Sequence, residues 1–365
     1  MRPSVTVRNT VVAAAALALA AVPGMANAST TWSVAHPPYT AIDNVPYVPL
    51  NAITAISTTN VWTVGQDSGT PQIDHWNGSK WSQSALPSGP CSVFEADCAF
   101  TGVSADSASD VITIGEGTIP TSSGWVTEAL AYRWNGTAWS QLTVPSSVTY
   151  DEMEHIQAFS PTDAWAVGVG SSTTGASVAT ALNWNGSTWS QVATPVSTTN
   201  DLSINAISGT SASNIWVVGE TVTPGYHNRQ FTSVIMHYNG SSWAQLTAPD
   251  NSGLLDVDAV SPTDAWAIAA DGSVLKWNGT AWTVVTQLAQ GNTAIAALSA
   301  TDVWVAGVVS LTHYNGTSWT ATSDPAGVNA LTGHAVLSPG DIWFSGYYNP
   351  SNAVTAPAVL STTAG

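Results

Sequence analysis

The 365-residue sequence predicts an all-β protein, a seven-bladed β-propeller closed by its own N-terminal strand. Three observations predict it. The phrase Trp/Tyr-Asn-Gly-x-x-Trp is written six times, and a second phrase, Asp/Asn-aliphatic-Trp, precedes each copy and occurs once more near the C-terminus. The last unit lacks the closing Trp, and a match for it stands at the opposite end of the chain.

The N-terminus comes first. Arg2 and Arg8 precede an apolar run from Val11 to Val22, a Pro23-Gly24 break and Ala26-Asn27-Ala28, the order of a secretory signal peptide. Residues 1–28 are therefore expected to be removed, leaving a single domain, 29–365, that is secreted and extracellular. The run is too short to span a bilayer, and no later stretch approaches the ~20 apolar residues of a membrane helix, so no membrane insertion is expected.

The repeat follows. The first phrase begins at Trp76, Trp134, Trp184, Tyr238, Trp277 and Tyr314. The second is centred on positions 62, 112, 165, 216, 266, 304 and 343, counting the variant Asp110-Val111-Ile112, with spacings of 38 to 53 residues. That is the period of one propeller blade. Each unit reads as four short strands, A to D. Strand A carries segments such as Ala55-Ile56-Ser57, and strand B carries the Trp phrase, as in Asn60-Val61-Trp62. Strand C ends in Trp/Tyr-Asn-Gly and strand D begins at the next Trp. Asn-Gly between aromatic-flanked runs is a strong hairpin signal because both residues tolerate positive φ. Ser-Pro-Thr-Asp segments mark the A–B turns.

The seventh unit passes Asp341-Ile342-Trp343 and ends without its strand D. Thr31-Trp32-Ser33-Val34 with Pro37 matches Lys80-Trp81-Ser82-Gln83 with Pro87, so the N-terminal residues are predicted to complete the last blade. Such closure removes sheet edges that otherwise invite aggregation.

Composition bounds the partners. Six Lys/Arg stand against 23 Asp/Glu, for a net charge of −17, and two of the six lie in the signal segment. A nucleic-acid partner is excluded, because phosphate binding needs a basic footprint. The two cysteines, Cys91 and Cys98, are expected to form a disulfide pinning one loop. The histidines do not converge in sequence, so neither a metal site nor a cofactor is expected.

The second phrase resembles the Kelch repeat, in which an aliphatic strand ends in Gly-Gly. Here one glycine is present, at Gly65, Gly115, Gly168, Gly219, Gly307 and Gly346, with Ala269 in the fifth unit. The Asn-Gly-x-x-Trp element is similar to repeats of bacterial seven-bladed lectins. Either resemblance implies the propeller fold, and the second implies sugar pockets around the ring.

Of the 18 tryptophans, 17 fall on the blade positions and read as packing residues. The Asn-Gly-Ser/Thr sequons read as turn chemistry rather than glycosylation. The residue before each Trp/Tyr-Asn-Gly is His75, Arg133, Asn183, His237, Lys276 or His313, polar in every unit. Pairing with nearby acids is the ordinary reading, and a ring of equivalent sugar pockets is the other. Enzyme readings fare badly. Sialidase-type propellers hold a carboxylate with three arginines, whereas Arg133 and Arg229 are the only two beyond the signal segment. A copper-radical oxidase of the Kelch type needs a free cysteine, and no Gly-x-Ser-x-Gly elbow is present. A hydrolase or lyase pair remains open among Glu95, Asp97, Glu116, Glu128, Asp151, Glu152, Glu154 and Glu220.

The B–C segments vary in length, being long in units 2 to 4 and short in units 5 and 6, and such variation on one face marks a binding face. Trp125 is the tryptophan that the repeat does not explain. It lies in a segment read as a long loop, with Tyr150-Asp151-Glu152 and Tyr226-His227-Asn228-Arg229 assigned to the same face. Trp125 would stack on a pyranose while Asp151, Glu152 and Asn228 orient its hydroxyls. The sequence thus points to a non-catalytic, carbohydrate-binding, lectin-like module. A protein-interaction scaffold on a cell-surface partner and a polysaccharide-acting enzyme are its alternatives.

Overall fold

The computed structural model describes residues 32–38, 49–92, 96–145, 152–223, 229–308, 310–323, 328–338, 341–351 and 354–362. Residues 1–28, expected from sequence to be a signal peptide, lie outside them. The described residues form seven antiparallel sheets around one axis. Six blades are consecutive in the chain, spanning 50–83, 97–141, 152–192, 201–246, 254–287 and 292–323. Blade 7 combines Ala330–Ser338, Asp341–Ser351 and Val354–Ser361 with the N-terminal strand Ser33–Ala35. Blade 3 carries an extra short strand, Ser197–Thr198.

The ring closes as its repeat predicts. Ser33 pairs with Ser361, Val34 with Leu360 and Ala35 with Val359. Trp32 meets Trp304 of blade 6 edge-on at 5.2 Å and Phe344 at 5.9 Å, filling the strand-D position. Gln72 Nε2 of blade 1 donates to the Pro38 carbonyl at 2.7 Å. The two chain ends therefore share one sheet and one core.

Seven apolar clusters lie between adjacent blades, one per interface. The tryptophans are their mortar. Trp216 of blade 4 packs on Trp277 and Trp282 of blade 5 at 4.9 and 5.1 Å, and Trp165, Trp266 and Trp343 repeat the arrangement onto their neighbours. Burying such a ring stabilises by roughly 1.5–3 kcal/mol. Blade 2 has Ile112 instead of the strand-B indole, and there the Arg133 guanidinium lies over Trp184 of blade 3 at 5.8 Å.

The recurring strand-B glycine has a steric cause. Strand A carries a bulge opposite it, and a Cβ on Gly65, Gly115, Gly219 or Gly346 would come within 2.0 Å of a carbonyl oxygen in strand A or, for Gly65, of Pro49 just before it. At these four positions a side chain has no room, whereas blade 5 accommodates Ala269 at the equivalent place.

Polar side chains near the start of strand A latch blade to blade. Asn51 Nδ2 donates to Phe100 O at 2.8 Å, Thr101 Oγ1 to Met153 O at 2.6 Å and Asn205 Nδ2 to Leu254 O at 2.7 Å. Thr293 Oγ1 donates to Leu331 O at 2.5 Å and Thr332 Oγ1 to Leu50 O. Each bond satisfies a carbonyl of the next blade in the crowded centre of the ring.

Cys91 and Cys98 are bonded to each other. Cys91 lies in a short 3-10 turn, Pro90–Ser92, between blades 1 and 2, and Cys98 opens strand A of blade 2. The bridge staples one connection, as the sequence implied.

Candidate functional site

Four antiparallel strands per blade put the A–B and C–D turns on one end of the ring and the B–C and D–A connections on the other. The two ends differ in what their polar groups do.

At the turn end they are consumed internally. His75 stacks on Trp62 at 4.1 Å and bonds Asn60 at 2.8 Å, and His237 repeats this with Trp216 and Asn214. His313 does so with Trp304 at 4.2 Å and Asp302 at 2.8 Å. Arg133 pairs with Asp110, Asn183 with Asp163 and Lys276 with Asp264. The polar residue before each Trp/Tyr-Asn-Gly thus binds the first residue of strand B in all six blades. Burial lowers the pKa of His75 and His237, as a strand-end residue sealed under an indole requires. The sequon asparagines are likewise engaged. Asn77 Oδ1 accepts from the Ser79 and Lys80 amides, and Asn135, Asn185, Asn239, Asn278 and Asn315 each do the same. The ordinary pairing accounts for these positions.

The axis holds a second polar cluster, which the repeat analysis missed. A cavity of about 80 Å³ is lined by strand-A residues, among them His155, Asp256 and His334. His334 Nδ1 lies 3.0 Å from Asp256 Oδ2, and its Nε2 lies 3.7 Å from Asp258 Oδ2. Asp256 Oδ2 also accepts from the Ile295 amide at 2.8 Å, and Asp258 Oδ2 from Ala297 at 2.8 Å. Desolvation would lower the His334 pKa, but Asp256 and Asp258 outweigh it and the pKa is raised. His155 goes the other way. Desolvation brings it down to about 4 against the opposing pull of Asp256 and a bond with Ile204. Among the described residues no group of three or more His, Cys, Asp or Glu is arranged to hold a metal ion.

The loop end carries Trp125, the platform that the sequence singles out. The long B–C segment of blade 2 is a regular two-stranded ribbon rather than a loop, Asp110–Thr121 against Gly124–Trp134, paired without a break to Thr121 and Gly124. Its alternating Thr, Ile and Val residues favour extended pairing, and Gly124 at φ 121° closes the turn. Trp125, 57 % exposed, pairs with Pro120, and Val126, also exposed, pairs with Ile119. Leu130 and Tyr132 pack toward blade 1, while Ala129 and Ala131 pack toward blade 3. By alternation, Trp125 and Pro120 share the face turned toward blade 3, with Glu116 and a hydroxyl pair, Thr118 with Thr127 at 3.2 Å, beneath them. Phe231, 41 % exposed, opens strand C of blade 4.

The other residues assigned to this site are not assembled around Trp125 by the described structure. Tyr150, Asp151, Tyr226, His227 and Asn228 lie outside the described residues. Glu152 begins strand A of blade 3, and Arg229 is exposed just before strand C of blade 4. A pocket of about 400 Å³, absent from the sequence reading, lies between blades 1 and 2, walled by Pro71, Leu86, Pro87, Tyr132 and the disulfide. Its walls come from three separate segments, so no local motif announces it.

No family model matches this sequence, and no curated protein matches it either. Solved propellers do. The structure of YCF48 bound to D1 peptide aligns with a TM-score of 0.61 at 15 % identity, covering 92 % of this chain and 97 % of that one. YCF48 from Cyanidioschyzon merolae gives 0.57 at 15 %, covering 90 % and 98 %. The WD40 propeller domain of Doa1 gives 0.56 at 13 %, covering 90 % and 96 %. At such identities the likeness shows the seven-bladed fold. Among the described residues no helix is long and apolar enough to cross a membrane.

Proposed function

We propose that this protein is an exported, non-catalytic interaction module that holds an extended segment of another protein against its loop end, on the blade 2 ribbon. The observation that supports the reading is the exposure of Trp125 at the tip of an ordered ribbon, beside Pro120 and Val126. A large ring left in solvent on regular backbone is what a partner's side chain covers, whereas the other 17 tryptophans are spent on packing. A likeness in build adds to it, since YCF48 has been solved with a peptide bound.

The carbohydrate reading is the second one. Trp125 suits a sugar ring as well as a peptide side chain. A sugar site also needs polar groups close around the ring, and the cross-strand neighbour of Trp125 is Pro120, with the Thr118–Thr127 hydroxyl pair and Glu116 further down the same face, which favours a peptide.

The test is a displayed-peptide selection and a glycan array, both run on the mature chain, 29–365, and on Trp125→Ala. Peptides enriched by the parent and lost by the variant support the module. Glycans bound by the parent and lost by the variant would replace it with the lectin reading. The variant should melt within about a degree of the parent, since surface changes stay within ~0.5 kcal/mol. A variant that unfolds would show that Trp125 serves the core.

A further inference from the structure

Charge is segregated between the two ends of the ring. Of the basic residues beyond the signal segment, Arg133 and Lys276 are bound to Asp110 and Asp264 at the turn end, and Lys80 sits in a C–D turn there. The acids Asp163 and Asp302 at that end are bonded to Asn183 and His313. The loop end carries its acids with fewer cations, and there Asp250 and Asp271 accept from serine amides. Asp97 and Asp201 start strands A of blades 2 and 4, Glu116 and Glu128 lie on the blade 2 ribbon, Asp250 precedes blade 5 and Asp271 sits in its B–C turn. Glu220 lies near the loop end of strand B in blade 4. Among the described residues Arg229 is the single Lys or Arg at this end.

Resting on the docking reading above, we infer that the bound segment is cationic: an extended stretch in which Lys or Arg accompanies an apolar anchor. The apolar tip supplies contact area and the charge around it selects the sign. A face with these carboxylates and one described cation attracts positive chains from a distance and repels acidic ones. The Trp125 ring adds a local preference, because an indole face attracts a guanidinium or ammonium group. The protein uses that contact in its own interior, where Lys276 Nζ lies 4.2 Å from the Trp266 ring centroid. On the ribbon, Glu116 stands four residues, about 13 Å, down the same face from Pro120, so a second basic residue further along the bound segment meets a carboxylate there.

The experiment uses three short labelled peptides sharing the same Trp and Leu anchors, with Lys/Arg, Gln/Ser or Glu at the remaining positions. Fluorescence anisotropy is read at low, physiological and half-molar salt against the mature protein, Trp125→Ala, and the pair Glu116→Gln with Glu128→Gln. The Lys/Arg peptide should bind at least about tenfold tighter than the neutral one, and half-molar salt should erase most of the difference. Trp125→Ala should weaken it about tenfold or more, and the Glu→Gln pair should flatten the salt dependence with an unchanged melting temperature. Equal or tighter Trp125-dependent binding of the neutral or acidic peptide would overturn the charge inference and leave the docking reading standing. Binding of the basic peptide that ignores Trp125→Ala would overturn both, reducing the effect to bulk charge attraction. So would binding of none.

Discussion

His334 of blade 7 and Asp256 of blade 5 meet at 3.0 Å, past the intervening blade 6. Asp256 also takes the Ile295 amide of blade 6, so one carboxylate joins three blades, including the one built from both chain ends. It acts where Leu255 occupies the position that Asn or Thr uses elsewhere to latch the next blade.

This clamp makes stability depend on pH. The groups paired with His334 are Asp256 and Asp258, His155 shares the cavity with its pKa brought down to about 4, and the neighbouring strands A of blades 1 and 6, Leu50–Ser57 and Asn292–Ser299, bring no titratable side chain. A histidine with a raised folded pKa contributes stability that is complete below the unfolded value, about 6.5, and is lost as pH rises through the folded one. His334→Gln should therefore lose about 3 kcal/mol near pH 5–6 and progressively less in alkali, read by denaturant unfolding across pH. A loss that does not vary with pH would contradict the charged clamp.

Asp74 lies buried in strand C of blade 1, its Oδ2 accepting from Gln72 Nε2 at 2.5 Å. Burial, opposed by that bond and reinforced by Asp67, pushes its pKa up to about 7. The folded state then holds a proton that the unfolded chain releases above 3.8, so stability falls between roughly pH 4 and pH 7. Asp74→Asn should be close to neutral at pH 4 and stabilising at pH 7, by about 4 kcal/mol at most. Parallel melts at the two pH values decide it.

Deleting residues 29–38 removes Ser33–Ala35 and Trp32 together. It should expose the strand Val354–Ser361 as a sheet edge and uncover Trp304 and Phe344. The truncated protein is expected to melt earlier and to self-associate in light scattering. A monomer with an unchanged melting temperature would mean that the ring does not need its N-terminal strand.

Gly115→Ala should be among the most damaging single-methyl changes, because the added Cβ falls 2.0 Å from the Ala99 carbonyl oxygen, on backbone that cannot yield. A loss of more than about 3 kcal/mol is expected, against a loss under about 1 kcal/mol for Ala269→Gly at the equivalent place in blade 5. Chemical denaturation of both variants makes the comparison.

The blade count, the closure, the disulfide and the packing role of the repeated tryptophans were legible in the sequence because each depends on residues that recur at fixed offsets or match across the chain ends. Trp32 could be assigned to blade 7 from its likeness to Trp81, and the Asn77-type turns from Asn-Gly alone, since hairpin geometry is local. Even His334 left a trace. It stands where the other six strands A carry Ile53, Val103, Ile156, Ile207, Val257 and Ile295, a break in pattern with no partner visible in the chain order. The tertiary structure alone supplied Asp256, 78 positions away in sequence, because curvature of the ring decides which strands A face one another. It also decided that the Trp125 segment is a paired ribbon and turned the indole toward blade 3, since cross-strand pairing and face are set by register. What recurs along a chain can be read from it, and what meets across the axis depends on how seven sheets close into one circle.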